Sequence, residues 1–362
     1  MEQQAPANIF GTDGVRDRGG AGLLSPESLE RLGSAIASYA LRTRKSAPPT
    51  VLIGRDTRPS GPAIEASLSA SLTRDGCRVV SAGVLPTPAI SLLVAAGEGD
   101  LGIVISASHN PPQFNGVKLF DPEGRKLDVE EEERITRDYV AATPRPGRGA
   151  AAGVVGVDDG VQLGNLYLSR LLEAFGGNGF LGGMGVVVDC ARGATAVVGP
   201  EAFRRAGARV TPLFADLDGE RINAGCGSLH PEELRNRVTE SGAALGIAFD
   251  GDGDRCILVD ERGGLVDGDE MLALWALALQ KEGRLRGSLL VATVMSNAGM
   301  ESFLTGRGVR LLRTPVGDRE VFEAMEREDA VLGGEQSGHV IYRPEAATGD
   351  GIRTGLHLAL LR

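Results

Sequence analysis

The sequence predicts an α/β protein of three consecutive α/β domains whose sheets are mixed and mostly parallel. First, the 362 residues exceed the size of one typical domain of about 100–200 residues. Second, short runs rich in Val, Ile and Leu alternate with segments whose apolar residues recur at helical spacing. Third, the strand-like runs are continuously apolar, which is typical of parallel strands covered by helices on both faces.

The first domain is predicted at residues 1–150. Ser25 offers a capping hydroxyl and Pro26 suits the first helical position, so a helix is predicted at 28–41. The later elements of this domain are predicted as strands at 51–56, 78–83 and 101–106 and a helix at 63–74. The stretch 143–150 is rich in Pro and Gly and lacks periodicity, which predicts a linker.

The second and third domains are predicted at residues 157–258 and 260–362, separated by a softer boundary with a turn at 261–264. The predicted strands of the two domains lie at 185–189, 245–250, 256–260, 289–295, 310–314 and 330–333. The predicted helices lie at 161–174, 196–206, 232–241, 270–280 and 318–327. Pro231 and the acids after it support a helix start there.

Composition and charge exclude several classes of protein. The net charge of −10 disfavours a general nucleic-acid binder, which needs a basic surface, but it allows small anionic substrates in a local cationic pocket. The four cysteines form no CxxC pair, so neither a disulfide framework nor a structural zinc site is expected. The N-terminal residues do not resemble a signal peptide, and the longest apolar run, 271–279, is shorter than a membrane span. These features predict a cytoplasmic protein without membrane or nucleic-acid partners.

A serine motif, Ser106-Ala107-Ser108-His109-Asn110-Pro111-Pro112, follows the strand predicted at 101–106. Side chains just beyond the carboxyl end of a strand occupy the usual ligand-binding edge of α/β sheets. An ordinary polar loop is an alternative explanation of this segment. A serine-hydrolase elbow is disfavoured because the flanking glycines of G-x-S-x-G are missing.

An acidic motif, Asp250-Gly251-Asp252-Gly253-Asp254-Arg255, follows another apolar strand. Three carboxylates at alternate positions repel one another unless a cation lies among them, and hard oxygen ligands suit Mg²⁺ or Ca²⁺. A solvated acidic turn is the alternative. An EF-hand is rejected because its sixth position, here Arg255, requires glycine and its flanks must be helical.

A third motif, Gly333-Gly334-Glu335-Gln336-Ser337-Gly338-His339, places hydrogen-bonding side chains on a tight glycine loop suited to sugar hydroxyls. A glycine-rich turn with incidental polar residues explains it equally well. Arg16, Arg55 and Lys118 lie on turns or near strand ends, where they can bind phosphate or form surface ion pairs.

In this combination the sequence resembles the phosphohexomutase superfamily, and within it the bacterial phosphoglucosamine mutases. The serine, aspartate and Gly-Glu-Gln-Ser-Gly-His motifs match the phosphoserine, metal and sugar-specificity loops of that family in family order. Segments 10–16, 226–232, 294–297 and 316–319 resemble the phosphoglucosamine mutase subgroup. The fourth-domain motif of the family, Arg-x-Ser-Gly-Thr-Glu, is not found in the 362 residues, so a three-domain form around a central cleft is expected.

The resemblance implies an isomerase that interconverts glucosamine 6-phosphate and glucosamine 1-phosphate for UDP-N-acetylglucosamine synthesis. It implies a phosphorylated Ser108, a sugar bisphosphate as intermediate and activator, and Mg²⁺. The implied metal ligands are Ser108, Asp250, Asp252 and Asp254. The implied catalytic residues are Ser108, His109, Lys118 and Arg255, and the implied substrate-binding residues are Arg16, Arg55, Glu335, Ser337 and His339. The resemblance also allows a homodimer.

Three other functions stay open at this point. A phosphomannomutase/phosphoglucomutase would share the mechanism and differ in the sugar. A non-catalytic sugar-phosphate or metal-binding protein would account for the absent fourth-domain motif. A hydrolase is disfavoured because no separate base that activates water is evident.

Overall fold

A computed structural model describes residues 8–43, 47–143 and 157–362, with only the backbone described at Val157 and Asp158. Residues 1–4, on which the prediction about a signal peptide rests, and residues 144–150 of the predicted linker lie outside the described residues. Among the helices of the described part, none is long and apolar enough to cross a membrane.

The first domain contains a six-stranded mixed sheet. Its strands are β1 (Val15–Arg18), β2 (Thr50–Arg55), β3 (Arg78–Val84), β4 (Leu101–Ile105), β5 (Phe114–Phe120) and β6 (Val157–Asp158). Its helices are α1 (Pro26–Thr43), α2 (Gly61–Arg74), α3 (Thr87–Ala95) and α4 (Val129–Ala141). The strand order is β1-β5-β4-β2-β3-β6, in which β4, β2, β3 and β6 run parallel and β5 runs antiparallel to both of its neighbours.

The second domain contains a five-stranded sheet with the order β11-β10-β9-β7-β8. Its strands are β7 (Gly185–Asp189), β8 (Arg209–Leu213), β9 (Leu245–Phe249), β10 (Cys256–Asp260) and β11 (Leu265–Val266). Its helices are α5 (Gly160–Glu173), α6 (Gly199–Arg205) and α7 (Glu232–Ser241). The β9, β7 and β8 strands are parallel, and the turn between antiparallel β9 and β10 carries the three aspartates.

The third domain contains a four-stranded sheet with the order β13-β12-β14-β15. Its strands are β12 (Leu289–Thr293), β13 (Arg310–Thr314), β14 (Leu332–Gly334) and β15 (Val340–Tyr342). Its helices are α8 (Gly268–Lys281), α9 (Ala298–Thr305), α10 (Asp318–Arg327) and α11 (Gly351–Leu360). The α8 helix begins with a capping box, because the Asp267 carboxylate accepts from the Glu270 amide while Glu270 reaches back to the Asp267 amide.

The predicted fold class of three α/β domains with mixed sheets is confirmed. Strands 185–189, 256–260 and 310–314 and helices 232–241 and 318–327 have the predicted bounds. The predicted helix 196–206 begins later, at Gly199, after a short 3₁₀ turn at Ala194–Ala196. Strand β6 at 157–158 pairs with β3, so the residues at the predicted start of the second domain complete the first sheet.

One continuous buried cluster joins the three sheets. Leu52 of β2, Val188 of β7 and Leu290 of β12 all belong to it, and each is fully buried. Burial of apolar surface is the main favourable term in folding, so a core shared by the three domains stabilises each of them through its contacts with the others. The loops at their meeting point are therefore held on a shared core.

A hydrogen bond from α5 to α11 provides a test of this mutual support. The buried Tyr167 hydroxyl donates to the Asp350 carboxylate at 3.0 Å, and Asp350 caps α11 by accepting from the Arg353 amide at 3.0 Å. Tyr167→Phe removes this donor from a buried carboxylate. We expect the free energy of unfolding, measured by urea titration, to fall by about 1–3 kcal/mol.

Tyr139→Phe is the matched control. The Tyr139 hydroxyl donates at 3.2 Å to a neutral acceptor, Ser28 Oγ, in a partly buried setting. Loss of this hydrogen bond should lower the free energy of unfolding by about 1 kcal/mol or less. Equal losses in the two variants would show that the Tyr167–Asp350 contact does not support the junction of the two domains.

Candidate active site

Ser108 lies in the loop that follows β4, with its side chain almost fully buried. Its backbone has φ = 52°, a left-handed conformation that few non-glycine residues adopt. The Ser108 amide donates to Ser106 Oγ at 2.9 Å, and the Ser108 hydroxyl donates to Asp250 Oδ2 at 2.6 Å. His109 Nδ1 lies 3.3 Å from the same hydroxyl. The loop thus directs a serine oxygen of the first domain at a carboxylate of the second.

Arg58, which has no exposed surface, fixes the conformation of this loop. Its guanidinium donates to the backbone carbonyls of Ser108 at 2.8 Å and Asn110 at 2.7 Å, and to those of Pro111 and Phe114. The Asp56 carboxylate accepts from Arg58 Nε at 2.8 Å and from Ser106 Oγ at 2.5 Å. Burial raises the pKa of Asp56, although Arg58 opposes that shift. The hydrogen bonds from Arg58 to the Ser108 carbonyl and from the Ser108 amide to Ser106 Oγ stabilise the left-handed backbone conformation of Ser108.

The three aspartates after β9 converge. One ligand atom each of Asp250, Asp252 and Asp254 lies within 4.8 Å of the others, and all three side chains are buried. Asp252 Oδ1 and Asp254 Oδ1 are buried and have no hydrogen-bond partner. Unpartnered carboxylate oxygens that face one another in a buried cluster fit a hard divalent cation such as Mg²⁺. Across the described residues this is the one cluster of three metal-type ligands.

Lys118 on β5 is buried against the same aspartates. Its Nζ lies 2.8 Å from Asp252 Oδ2 and 3.4 Å from Asp254 Oδ2. Burial alone would lower the pKa of Lys118, but Asp13, Asp252 and Asp254 hold it well above its ordinary value. Burial alone would raise the pKa of Asp252, but Lys118 lowers it. Lys118 therefore stays charged and keeps Asp252 ionised.

Asp250 behaves differently from Asp252. Burial raises its pKa well above the ordinary value, and the charges of Asp254 and Asp252 add to that shift. Arg255 lies 3.4 Å from His109 Nδ1 through its Nη1 atom. The buried Arg255 Nε–H makes no hydrogen bond and lies 3.9 Å from Asp254 Oδ1. Burial lowers the pKa of His109, and Arg255 and Arg16 lower it further. His109 is therefore a neutral imidazole at neutral pH.

The glycine loop of the third domain, residues 333–339, contacts residues 250–255 of the second domain, which we call the metal loop. Arg255 and His339 form an isolated antiparallel bridge, and the Cys256 amide donates to the Gly338 carbonyl at 3.1 Å. Glu335 accepts from the Gly317 amide at 3.2 Å and from Ser337 Oγ at 3.3 Å. His339 is buried, and its Nδ1 has no hydrogen-bond partner.

A chain of alternating charges joins the two ends of the site. Asp13 lies 3.1 Å from Lys118 Nζ and 2.6 Å from Lys126 Nζ, and it also pairs with Arg16. Lys126 pairs in turn with Asp318, whose Oδ2 lies 3.8 Å from His339 Nε2. Burial alone would raise the pKa of Asp13, but these three cations hold it well below its ordinary value. The chain connects the aspartate cluster with the glycine loop.

Eleven of the twelve residues that the sequence analysis selected lie in this connected network, and the exception is Arg55. Its Nε donates at 2.9 Å to Glu65, a residue of α2 that also accepts from Ser81, and its Nη1 contacts the Asp56 carbonyl. None of its hydrogen bonds in the described structure reaches the serine or the aspartates. Arg58, three positions later, occupies the serine loop instead.

Sequence reasoning did not select several other residues of the site. These are Asp13, Asp56, Arg58, Thr87, Ser106, Lys126, Asn223 and Asp318. Asp13 stands in segment 10–16, which the sequence analysis considered, and Arg58 lies three positions after the predicted Arg55, so their proximity to predicted residues was a usable signal. Thr87 and Asn223 carry no local signal, because their partners are more than 100 residues away in sequence.

Three α/β domains that meet at a buried serine and three buried aspartates match the first three domains of the phosphohexomutases. Models of the phosphoglucomutase/phosphomannomutase family match all three domains: domain I at residues 7–145, domain II at 167–264 and domain III at 267–361. The chain belongs to this family.

Relatives within the family share nearly half of the sequence. A phosphoglucosamine mutase of Salinispora arenicola is 46% identical over 351 residues, covering 97% of this chain and 77% of the relative. A phosphoglucosamine mutase of a Thermoanaerobacter species is 44% identical over 352 residues with the same coverage. The match therefore extends through all three domains.

Solved structures share the fold. A phosphoglucomutase/phosphomannomutase family protein of Burkholderia thailandensis has a TM-score of 0.81 at 27% identity, covering 98% of this chain and 76% of that protein. Aspergillus fumigatus N-acetylphosphoglucosamine mutase, solved with GlcNAc-6P and magnesium, has a TM-score of 0.60 at 17% identity, covering 97% of this chain and 76% of that protein. At that identity the second comparison concerns the fold alone.

Gly338 tests whether the glycine loop must approach the metal loop closely. Its φ is 90°, and an added Cβ would lie 1.9 Å from the Cys256 carbonyl oxygen. Gly242 at the end of α7 has φ = 61° and open space around its Cα. Alanine strains the backbone at both positions, but only Gly338→Ala also creates a clash.

We expect Gly338→Ala to lower the free energy of unfolding by about 1–3 kcal/mol more than Gly242→Ala, because the loop must move off β10. Urea titration of both variants measures this difference. Equal destabilisation of the two variants would mean that the glycine loop is free to separate from the strand.

Proposed function

We propose that the protein is an isomerase that interconverts glucosamine 6-phosphate and glucosamine 1-phosphate through an enzyme phosphorylated on Ser108. The observation that carries this proposal is the hydrogen bond of 2.6 Å between Ser108 Oγ and Asp250 Oδ2, in which a nucleophile from one domain meets the acidic cluster of the next. Identities of 44–46% to phosphoglucosamine mutases support glucosamine phosphate as the substrate.

The reaction is a pair of phosphoryl transfers. A free sugar hydroxyl attacks the phosphorus carried by Ser108, the bond between phosphorus and Ser108 Oγ breaks, and a sugar bisphosphate results. After the bisphosphate reorients, Ser108 Oγ attacks its other phosphorus, the bond between that phosphorus and the sugar oxygen breaks, and the product sugar monophosphate leaves with a free hydroxyl. Free sugar bisphosphate can phosphorylate an idle enzyme by the second step, which makes it an activator.

The site's own side chains fit distinct tasks in these steps. The neutral imidazole of His109, 3.3 Å from Ser108 Oγ, can accept a hydroxyl proton and return it. Arg255 and Lys118 place fixed positive charge beside the serine and the aspartates, where phosphoryl oxygens must pass. Arg16 pairs with Asp13 and keeps its buried Nε–H without a hydrogen-bond acceptor, which supports a role in phosphate binding.

Asp250, Asp252 and Asp254 are the residues that would hold Mg²⁺, with an oxygen on Ser108 as a further ligand. The bound ion would neutralise negative charge that develops on the transferred phosphoryl group. Asp252 and Asp254 each keep one buried oxygen that accepts no hydrogen bond from the protein and can therefore serve as a ligand to a cation.

The glycine loop would bind the hydroxyl groups of the sugar and so distinguish one sugar from another. Glu335 and Ser337 present a carboxylate and a hydroxyl to sugar hydroxyls, and His339 closes the loop from its buried side. Arg55 stays a predicted phosphate ligand, although its hydrogen bonds to Glu65 and to the Asp56 carbonyl now occupy it. We also keep three predictions from the sequence: a cytoplasmic location, a homodimeric state and the residue ranges of the three domains.

Ser108→Ala tests the phosphoryl carrier. On incubation with glucosamine bisphosphate and Mg²⁺, the wild-type protein should gain the mass of one phosphoryl group, whereas Ser108→Ala should gain none and lose at least about 10³-fold in kcat, as expected for a lost nucleophile. Intact-mass spectrometry measures the first effect. Undiminished labelling of Ser108→Ala would remove Ser108 from this role.

Ser91→Ala is the matched control for that experiment. Ser91 is also buried, and its hydroxyl donates to the Gly124 carbonyl rather than to any of the three aspartates. This variant should label as the wild type does. Loss of labelling in both variants would indicate general damage to the first domain.

Relative turnover tests the sugar. We expect kcat/KM on glucosamine 6-phosphate to exceed that on glucose 6-phosphate and mannose 6-phosphate by at least about tenfold, because one recognised polar group distinguishes the sugars. A coupled assay on each sugar phosphate measures the ratio. A preference for mannose or glucose would contradict the proposed substrate and leave the mutase mechanism standing.

A further inference from the structure

Thr87 connects the first domain to the metal loop of the second domain by two hydrogen bonds to one residue. It is the first residue of α3 and is fully buried. Its hydroxyl donates to Asp252 Oδ2 at 2.7 Å, and its amide donates to the Asp252 backbone carbonyl at 2.9 Å. The side chain and the backbone of Asp252 are thus held from the same side.

These contacts leave the two oxygens of the Asp252 carboxylate in different situations. Oδ2 accepts from both Thr87 Oγ1 and Lys118 Nζ. Oδ1 is buried and receives no donor. The terminal torsion of an aspartate is broad, so a carboxylate without such donors can rotate and exchange its oxygens. Two donors on one oxygen define which oxygen stays free.

Lys118 does not define that choice by itself. Its ammonium group also lies within ion-pair distance of Asp13 and of Asp254, so its position is shared among three carboxylates. The Thr87 hydroxyl donates to one side chain, that of Asp252. The hydrogen bond from the Thr87 amide to the Asp252 carbonyl fixes the distance between the two residues.

We propose that Thr87 is a positioning residue of the metal site, whose hydroxyl holds the Asp252 carboxylate so that Oδ1 is presented to the divalent cation. This inference rests on the proposed function, since it takes the aspartate cluster as the metal site. Hydrogen-bonding partners of metal ligands typically change metal affinity about 10–100-fold when they are removed. Thr87→Val removes the hydroxyl while keeping the branched shape and the backbone bond.

The test is Mn²⁺ binding by the full chain, followed by the electron paramagnetic resonance signal of the free ion. We expect Thr87→Val to raise the Kd for Mn²⁺ about 10–100-fold and Thr87→Ser to restore it to within a few-fold of the wild type. Unchanged Mn²⁺ affinity in a folded Thr87→Val protein would overturn the inference. Because this readout needs no turnover, it does not depend on the sugar. Since Ser108 is itself a proposed ligand, all variants are compared in the same phosphorylation state of Ser108, verified by intact mass.

Thr195→Val is the matched control. Thr195 is equally buried and packs against Gly253 of the metal loop, but its hydroxyl donates to the Cys190 carbonyl, away from the carboxylates. This variant should bind Mn²⁺ as the wild type does. A loss of affinity as large as that of Thr87→Val would overturn the inference, since packing beside the loop would then account for both.

Two further comparisons keep the outcome decisive. If Thr87→Val does not fold, Thr87→Ser and Thr87→Ala differ only in the hydroxyl, and equal Mn²⁺ affinity of these two variants would overturn the inference. If the wild-type protein binds no Mn²⁺, the proposed metal site fails and the inference fails with it. Normal wild-type binding with an unaffected Thr87→Val removes the inference alone and leaves the proposed function intact.

Discussion

The burial of three carboxylates within one cluster is the constraint on which the rest of the site depends. Charges taken out of water are costly unless opposite charges and hydrogen bonds compensate them. Lys118 compensates Asp252 and Asp254, and Asp250 instead receives the Ser108 hydroxyl and the Gly253 and Arg255 amides. The opposite pKa shifts of Asp250 and Asp252 follow from this division of partners. The divalent cation proposed for this cluster would complete the charge compensation that Lys118 provides in part.

The same electrostatic need organises the contacts between domains. Lys118 belongs to the first domain and its aspartate partners to the second, while Lys126 pairs with Asp318 of the third. Arg319 adds hydrogen bonds to Glu132 and to the Leu127 carbonyl. Since these pairs are largely shielded from water, they are screened less by salt than surface ion pairs are. The arrangement of the loops therefore depends on charge as well as on the shared apolar core.

The sequence was sufficient for elements with strong local patterns and insufficient for weak ones. Strand 185–189 and helix 232–241 have clear apolar runs or acidic first turns, and their bounds were predicted correctly. Helix α3 was missed because Thr87-Pro88 reads as a turn and the rest is almost uniformly apolar. Strand β5 was missed because Asn115-Gly116 reads as a turn, although both residues are buried in the sheet. The motif residues could be predicted because their chemistry is local.

Arg55 and Arg58 show where local pattern stops being informative. Both flank Asp56 at the end of β2, and both look equally able to bind phosphate. The choice between them depends on what lies opposite: α2 presents Glu65 to Arg55, whereas the strained Ser108 loop presents four carbonyl oxygens to Arg58. A left-handed serine loop exposes carbonyls that a regular turn would satisfy itself, and a buried guanidinium has enough donors to satisfy them. The loop that sets the geometry of Ser108 therefore also determines which of the two arginines becomes buried and structural.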